Sequence, residues 1–291
     1  MFFLPKKETP ILCQGITSQV GAVHTELALA YGANIVAGIS ADKNIRHFLG
    51  VPVFKTVAEA VREKKPQISV IFSTPAHALA DVAEAVRAGI KMIVCITESV
   101  PMHDALKMKA LAKSAKVCLL GPSSMGIGVA GETVVGSVPL HLFSDGPVAL
   151  LGRSASLMLE TATQLKEKRL GLSAFISLGA DHLIGTSFVE PMKALLKDEK
   201  TKKIVLIGQV HGELEYELAA FYKKQKNKKP LWVYIPGRSL EKSDKHPLLG
   251  MKTVRFADII DLKKQVLTEA GAFWVDSVDN LGKMVGKGKS K

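Results

Sequence analysis

The sequence contains no apolar run of the about 18 residues that a membrane-spanning helix needs. Its start, MFFLPKK, is too short and too soon charged to be a signal peptide. Cysteine is scarce, and Cys13, Cys95 and Cys118 each lie in an apolar run without metal-ligand spacing. These absences predict reduced core thiols in a cytoplasmic or similarly reducing compartment, no metal site and no membrane partner.

Acidic residues are too few to balance the basic ones, since 27 Asp and Glu stand against 39 Lys and Arg and give a net charge of +12. Part of this excess lies in two lysine-rich stretches, residues 223–229 and 283–291. Aromatic residues make up only 6% of the chain and do not interleave with the basic residues. Because no nucleic-acid-binding motif is present either, we expect no nucleic-acid partner. A polyanionic small ligand explains the charge equally well.

The most informative stretch is residues 11–21, which read ILCQGITSQVG. Its first four residues are typical of the end of a buried strand, and Gly15 and Gly21 bound a tight loop. Apolar side chains then recur at helical spacing, at Val20, Val23, Leu27 and Tyr31. A strand that turns through glycines into a helix directs free backbone N–H groups and the positive helix end at one spot, which suits a phosphate.

This loop departs from the dinucleotide-binding fingerprint because it has two glycines rather than three. The second strand, predicted over residues 34–40, should end in an acidic residue that binds a ribose. Asp42 lies slightly past that end, and Lys43, which follows at once, suits an additional phosphate better than a ribose diol. Spacing alone leaves two interpretations open: a phosphate-binding loop, or an empty Rossmann-like turn in which Lys43 is a solvated loop charge.

Strand-like apolar runs alternate with helical patterns along most of the chain, which predicts an α/β fold class with parallel sheets and helices on both faces. Between residues 123 and 147 the alternation stops, and Gly, Ser, Val and Pro dominate. We therefore predict a doubly wound domain at residues 1–125, a linker with short strands at 126–147, a second doubly wound domain at 148–282 and a disordered basic tail at 283–291.

The second domain begins with a turn of the same kind, Gly152 followed by Arg153. Ser154, Ala155 and Ser156 then start a helix with small side chains and free N–H groups. A serine at a helix start is most often only a cap. Its position at the carboxyl end of a parallel strand, where ligands bind in such sheets, favours a second phosphate site.

Short motifs are spread along the chain in a definite order: CQGIT at 13–17, His24, AYG at 30–32, LGVPVF at 49–54, GIK at 89–91, ITE at 96–98, GP at 121–122, RS at 153–154, IG at 207–208 and EAG at 269–271. In these motifs and their spacing the chain resembles the alpha subunits of succinyl-CoA synthetase, the succinate–CoA ligases, from Ile11 to about residue 282. The resemblance implies an N-terminal Rossmann-like CoA-binding domain followed by a flavodoxin-like ligase domain, both with parallel sheets.

The resemblance also implies that coenzyme A binds the first domain. By position, the residues under its phosphates are Thr17, Ser18, Gln19 and Val20, Lys43 lies near its adenosine end, and Ile96, Thr97 and Glu98 lie beside its reactive arm. The family's phosphate loop reads GFTGSQG where this chain has GITSQVG, so the length is kept and the inner glycine is lost. We expect altered rather than abolished binding.

The family's reaction joins a small carboxylic acid to CoA through an acyl phosphate and a phosphohistidine. ATP or GTP is supplied by a separate ATP-grasp beta subunit, so the resemblance implies a hetero-oligomer. The phosphate of the histidine is cradled by helix N-termini, of which the helix at Ser154, Ala155 and Ser156 is this chain's contribution.

The chain departs from the family at the phosphotransfer centre. Gln209 occupies the position of the assisting glutamate, and Leu159 replaces a tyrosine near the acid. His246 is the candidate phosphate carrier, but it does not align cleanly with the family's Gly-His-Ala-Gly loop, and Pro247 stiffens its surroundings. A glutamine keeps the hydrogen-bonding shape of glutamate but cannot balance an imidazolium charge. We therefore predict that His246 is an inefficient phosphate carrier.

Two functions stay open at this point. The first is a divergent acid–CoA ligase alpha subunit whose catalytic residues are His246 and Gln209. The second is a non-catalytic CoA-binding homologue with an interaction or regulatory role. An NAD-dependent oxidoreductase ranks last, because the acid after the second strand is misplaced and no catalytic dyad is present.

Overall fold

Two seven-stranded sheets organise the chain, of which this computed structural model describes residues 1–237 and 256–287. The first sheet has the order β3-β4-β2-β1-β5-β6-β7 and is parallel except for the β3–β4 pair. Its strands are β1 (Ile11–Gln14), β2 (Ile35–Ile39), β3 (His47–Phe48), β4 (Val51–Phe54), β5 (Ile68–Ile71), β6 (Met92–Cys95) and β7 (Cys118–Leu120). The accompanying helices are α1 (Gln19–Tyr31), α2 (Val57–Lys64), α3 (Pro75–Arg87) and α4 (Met102–Ser114).

The second sheet has the order β14-β13-β12-β10-β11-β8-β9, parallel except at the β8–β9 hairpin and its pairing with β11. Its strands are β8 (Gly126–Val129), β9 (Thr133–Gly136), β10 (Asp145–Gly152), β11 (Leu172–Ser177), β12 (Lys203–Ile207), β13 (Leu231–Tyr234) and β14 (Phe273–Trp274). The helices are α5 (Ala155–Glu167), α6 (Val189–Lys197), α7 (Leu214–Lys223), α8 (Phe256–Glu269) and α9 (Leu281–Lys287). The predicted α/β class with two parallel-sheet units is thus confirmed.

The central strands are apolar along their length because helices cover both faces of each sheet. Every residue of β5, β6 and β11 is buried. Cys13, Cys95 and Cys118 are buried and free, and burial raises the pKa of the Cys13 and Cys95 thiols to about 12 and that of Cys118 to about 11. They are core side chains, as predicted. Within residues 1–237 and 256–287, no helix is both long and apolar enough to cross a membrane.

The strand orders locate the places where each sheet can bind a ligand. In the first sheet the chain proceeds from β1 outward through β2 and β4 and then returns to the other side of β1 with β5. In the second sheet, β11 and β12 flank β10 on opposite sides. Ligands of such sheets bind at the carboxyl ends of the strands where the order reverses. The turns after β1 and after β10 are therefore the two candidate positions.

The structure differs from the sequence-based expectation at both ends of the second unit. The short strands predicted for the linker, residues 126–147, are present as the β8–β9 hairpin, but they belong to the edge of the second sheet rather than to a separate linker. Residues 283–287, predicted to belong to a disordered tail, form part of helix α9, which packs on α5. The hairpin requires glycine at position 126, because a Cβ there would lie 2.0 Å from the carbonyl oxygen of Val135. The domain limits themselves stay a prediction.

Candidate functional site

The loop between β1 and α1 is built around Gly15 and Gly21. Gly15 has φ +78°, which favours glycine. A Cβ on Gly21 would lie only 2.1 Å from the carbonyl oxygen of Gly15, so no side chain fits there. Ser18 caps the helix, since its Oγ accepts the N–H of Gly21 at 3.0 Å. The first-turn amides of Gln19 and Val20 belong to those that have no acceptor within a helix, which is what an anion site requires.

Lys43 is fixed next to this loop by hydrogen bonds rather than extended into solvent. Its Nζ donates to the carbonyl oxygens of Ser40 at 3.1 Å and Lys55 at 3.0 Å. The hydroxyl of Ser40 in turn lies 2.7 Å from that of Thr17. The turn after β2 therefore connects Lys43 to the loop after β1, and it carries a cation to the edge of the first candidate site.

Residues 96–98 follow β6 and connect the first sheet to the second unit. The buried Thr97 hydroxyl donates to the carbonyl oxygen of Ser73 at 2.8 Å, and the Thr97 carbonyl oxygen accepts the N–H of Ser123 at 2.9 Å. Ile96 packs against Gly136, where a Cβ would meet its Cδ1 at 2.8 Å. Glu98 is exposed. Of these three residues, only Glu98 is therefore free of a packing role.

A short hydrogen-bonded route leads from Thr97 to the second sheet. The Ser123 hydroxyl donates to Asp181 Oδ1 at 2.7 Å, and the Ser123 carbonyl oxygen accepts the N–H of Ala180 at 3.1 Å. The side chain of Gln209 donates to the Ala180 carbonyl oxygen at 3.3 Å. The carboxyl ends of β6, β11 and β12 consequently meet at one place.

The turn after β10 is glycine-dependent in the same way as the first loop. A Cβ on Gly152 would lie 2.9 Å from Ile207 Cβ and 2.8 Å from the sulfur of Met158. The next residue, Arg153, is buried and donates from Nε to the Gly179 carbonyl oxygen at 3.2 Å and from a terminal nitrogen to that of Asp181. Burial lowers the pKa of this guanidinium from its usual value. Arg153 therefore orders the loop after β11.

Helix α5 begins directly after this turn. Ser154 is the N-cap residue, but its hydroxyl makes no capping hydrogen bond. Ala155 and Ser156 form the first turn, and the side chain of Ser156 is exposed. Nothing larger than a serine or alanine side chain thus stands at the three predicted phosphate-binding residues.

The loop after β12 carries Gln209 and His211. The N–H of Gln209 donates to Glu215 Oε1 at 2.9 Å, and its carbonyl oxygen accepts from Lys263 Nζ at 2.9 Å. His211 lies edge-on to His182, with ring centroids 5.8 Å apart. Burial, followed by the nearby His182, Lys263 and Arg153, lowers the pKa of His211. The neutral imidazole of His211 is therefore favoured.

A crevice of about 300 Å³ lies between the two units beside these loops. One wall comes from Ser99 and Val100 before α4 and from the first turn of that helix, including Met102, and the other comes from residues 180–183. Ser99 directly follows Glu98, so residues 96–98 lead to the mouth of the crevice. The volume is enough for a small organic acid or the end of a cofactor arm.

The structure brings the predicted residues into two groups. Thr17, Ser18, Gln19, Val20 and Lys43 surround the first loop. Thr97 and Gln209 belong to the hydrogen-bonded route described above, and Ser154 follows the buried Arg153, which donates to the carbonyl oxygens of Gly179 and Asp181. In the described part of the chain, no hydrogen bond of these side chains joins a residue of one group directly to a residue of the other. His246 lies outside the described residues, so its predicted role stays a prediction.

Four further residues shape the site and were not predicted from the sequence. They are Ser123, Asp181, Glu215 and Lys263. Ser123 lies in a stretch without helical or strand periodicity, and Glu215 and Lys263 resemble ordinary surface charges on amphipathic helices. Only the tertiary structure shows that they are partners. Among the described residues, no group of three or more His, Cys, Asp or Glu side chains could hold a metal ion.

Comparison with protein-family models finds two matches that together cover most of the chain. The CoA-binding domain model matches residues 6–99, and the model of the succinyl-CoA ligase like flavodoxin domain matches residues 145–286. The first match includes the loop after β1, Lys43 and residues 96–98. The second includes the starts of α5 and α7.

Two similar curated proteins are alpha subunits of succinate–CoA ligases. The chain is 41% identical to subunit alpha 2 of the ADP-forming succinate–CoA ligase of Archaeoglobus fulgidus, over 81% of this chain and 82% of that protein. It is 32% identical to the alpha subunit of the ADP-forming succinate–CoA ligase of Aquifex aeolicus, over 99% of this chain and 94% of that protein.

Solved structures share the fold over almost the whole chain. The ATP citrate lyase of Methanosaeta concilii in complex with (3S)-citryl-CoA superposes with a TM-score of 0.81 at 22% identity, over 98% of this chain and 50% of the lyase chain. An acetyl-CoA synthetase of Ca. Korarchaeum cryptofilum gives 0.79 at 19% identity, over 96% of this chain and 60% of that chain. This chain therefore spans about half the length of the lyase, and the two likenesses concern the fold alone.

Proposed function

Because the chain belongs to the succinate–CoA ligase alpha-subunit family, we propose that it is the CoA-binding alpha-type subunit of a nucleotide-dependent acid–CoA ligase. Such an enzyme joins a small carboxylic acid to CoA at the expense of ATP or GTP. In this proposal the nucleotide binds to a separate ATP-grasp beta subunit, and the two subunits form a hetero-oligomer.

The proposal depends mainly on one observation, the meeting of the two units at the carboxyl ends of their strands. Thr97 of the first unit is connected through Ser123 to Ala180, and Ala180 accepts the amide of Gln209. A ligand that extends from the loop after β1 along residues 96–98 therefore reaches the crevice beside Gln209. This arrangement suits a long cofactor with its phosphates at one end and its reactive group at the other.

The residues around the first loop fit the phosphates and the arm of CoA. Gly21 lets the first turn of α1 approach the Gly15 carbonyl oxygen closely, and Lys43 supplies a cation at the edge of the loop. Gln14, at the end of β1, is buried, and its Oε1 has no hydrogen-bond partner among the described residues. An acceptor left open beneath the loop suits an amide or hydroxyl donor of a bound molecule. CoA supplies the thiol that receives the acyl group.

The second unit supplies the groups for the carboxylic acid and for phosphoryl transfer. The start of α5, at Ser154, Ala155 and Ser156, offers backbone N–H groups to a phosphate. Gln209 is held at the crevice and can donate from its side-chain amide. His246 is assigned the role of phosphate carrier by the resemblance, with a rate limited by the missing charge at Gln209. The neutral side-chain amide of Gln209 stands where the family has a glutamate, so a protonated His246 has no carboxylate there to balance its charge.

Calorimetric titration of CoA into the isolated chain tests the first half of the proposal. We expect a single site per chain for CoA and weaker binding of dephospho-CoA, because the missing 3′-phosphate removes a charged contact. NAD titrated under the same conditions is the control. Absence of CoA binding, or NAD binding in its place, would overturn the assignment in favour of an oxidoreductase or an empty Rossmann-like domain.

The second half requires a co-expressed beta subunit. Acyl-CoA should form only when acid, CoA, nucleotide and both subunits are present. If CoA binds but no nucleotide and no acid give product, the chain is a CoA-binding protein without ligase activity.

A further inference from the structure

Lys263 of α8 and Glu215 of α7 form an ion pair in the interior of the second unit. Lys263 Nζ lies 2.6 Å from Glu215 Oε2, and both side chains are fully buried. The carboxyl packs directly on the end of β12, since a Cβ on Gly208 would lie 2.9 Å from Glu215 Oε1. The ammonium also lies 5.5 Å from the centre of the Tyr216 ring. The pair is therefore enclosed on all sides by protein.

Both partners of this pair are bonded to the backbone of Gln209. Glu215 Oε1 accepts the Gln209 N–H at 2.9 Å, while Lys263 Nζ donates to the Gln209 carbonyl oxygen at 2.9 Å. Lys263 Nζ also lies 3.5 Å from the His211 carbonyl oxygen. The two peptide groups that flank the Gln209 Cα are thus each fixed by a buried charge.

Stability alone does not explain such a pair. Removing two charges from water costs more than their attraction commonly returns, and apolar residues of similar volume are often as stable or more so. A buried pair that joins two helices beside a site loop is therefore better explained by a second role. Its hydrogen bonds to Gln209 supply one, because they fix the backbone from which the Gln209 side chain reaches the carbonyl oxygen of Ala180, a residue that lines the crevice.

We propose that Lys263 and Glu215 are positioning residues that fix Gln209 at the interdomain crevice. They act through the Gln209 backbone and do not touch a substrate. The pair thereby connects helices α7 and α8 to the loop that carries Gln209. The relevance of the pair for catalysis rests on the function proposed above, whereas its effect on the loop does not.

Two double variants separate positioning from packing. Glu215→Leu with Lys263→Met replaces the pair with apolar side chains and removes the acceptor of the Gln209 N–H. Glu215→Gln with Lys263→Met also removes both charges but keeps an oxygen that can accept from Gln209. Lys264→Met is the matched control, since this neighbouring lysine pairs with Asp276 at the surface.

Amide hydrogen exchange, resolved for residues 208–213, is the first readout. In the unmodified chain the Gln209 amide should be among the slowly exchanging ones. We expect faster exchange by about tenfold or more in the Leu/Met variant, which corresponds to roughly 1.4 kcal/mol, an intermediate rate in the Gln/Met variant and no change in Lys264→Met. Strands β10 and β11 should keep their protection in all of them.

The second readout is the rate of acyl-CoA formation with the beta subunit. We expect the Leu/Met variant to lose about 10- to 100-fold in kcat, as misplacement of a site residue by about 1 Å can cost, with an unchanged CoA dissociation constant. Unchanged kcat in an active enzyme would overturn the catalytic part of the proposal.

The exchange measurement decides the positioning part even if no ligase activity exists. Fast exchange of the Gln209 amide in the unmodified chain would overturn it, and this outcome needs no variant to fold. Unchanged exchange in a folded Leu/Met variant would overturn it as well. Absence of CoA binding, in contrast, would refute the proposed function and leave the exchange result standing.

Discussion

Lys43 is the residue at which the two sequence-based interpretations of the first loop differ most. It was predicted either to bind a phosphate or to be a solvated loop charge. In the structure its ammonium donates to the carbonyl oxygens of Ser40 and Lys55, and the hydroxyl of Ser40 contacts that of Thr17 in the loop after β1. An ammonium has three donors, so one hydrogen bond can still be made to a ligand. The pre-ordered position lowers the entropy cost of that contact.

Lys43→Glu should weaken CoA binding by about one to two orders of magnitude, because a charge-assisted contact is worth roughly 1.5–3 kcal/mol and the reversed charge repels phosphate. Calorimetry of CoA measures the change. Lys55→Glu is the control, since it has the same change in charge without altering the loop lysine itself. An equal loss of CoA affinity in both variants would mean that only the overall electrostatic field of the protein matters. Unchanged CoA affinity in Lys43→Glu would refute the contact between Lys43 and a CoA phosphate.

His24 packs against an aromatic side chain of the first unit. Its ring stacks on Phe72 with an interplanar angle of 7° and centroids 5.8 Å apart. Burial lowers the pKa of His24 from its usual value. The unfolded chain therefore binds a proton more readily at this residue than the folded chain does.

The free energy of unfolding should consequently fall as the pH decreases through the unfolded-state pKa of histidine, about 6.5, because protons then stabilise the unfolded state. His24→Phe keeps the stacking and should reduce this slope between about pH 7 and pH 5.5. Some slope should remain, since the pKa of His211 is lowered too. Denaturant titrations across this pH range measure it, and an identical slope in the variant would contradict the assignment.

At the scale of elements, helix α1 illustrates what a sequence pattern can and cannot predict. The spacing of Val20, Val23 and Leu27 correctly predicts a helix, but these side chains are 52%, 52% and 44% exposed. The buried residues of α1 are the small Gly21, Thr25 and Ala28. Small residues face the strands because the helix packs closely on β9. The pattern shows periodicity, whereas the face that is buried depends on the neighbouring element.

Gly21→Ala should distort the turn at the start of α1, because the added methyl group would meet the Gly15 carbonyl oxygen at 2.1 Å. We expect a loss of stability of about 1–3 kcal/mol, typical of overpacking, together with weaker CoA binding. Thermal unfolding and calorimetry measure the two effects. Val23→Ala, on the exposed face of the same helix, should change stability by less than about 0.5 kcal/mol. Normal CoA affinity in Gly21→Ala would show that the loop is not the phosphate site.

For the whole molecule, the sequence was sufficient to predict the fold of the two units but not the contacts through which they meet. The sequence predicted the strands that precede the site residues, because continuous apolar runs identify buried parallel strands. These site residues are Thr17, Thr97, Ser154 and Gln209. The role of Ser123 could not, since one hydroxyl in a stretch without periodicity carries no signal. The burial of Glu215 and Lys263 likewise depends on contacts between residues far apart in the chain.

Ser123→Ala tests whether this meeting matters for function. It removes the hydrogen bond from the Ser123 hydroxyl to Asp181 Oδ1 and leaves the backbone bonds of Ser123 in place. We expect a stability loss of about 0.5–1.5 kcal/mol, the usual range for one hydrogen bond. CoA affinity should stay the same while acyl-CoA formation slows. Ser114→Ala, at the exposed end of α4, is the control. Equal turnover in both variants would argue against a site shared by the two units.

The most direct measurement is acyl-CoA formation by the chain reconstituted with its co-expressed beta subunit, assayed by mass spectrometry with ATP or GTP and a panel of small carboxylic acids. The account predicts a product that requires acid, CoA, nucleotide and both subunits. Because the charge partner of the histidine is absent at Gln209, we expect a rate about 10²–10³ below that of ordinary enzymes, and a faster reaction in Gln209→Glu. CoA binding without any acyl-CoA, under every combination of acid and nucleotide, would contradict it.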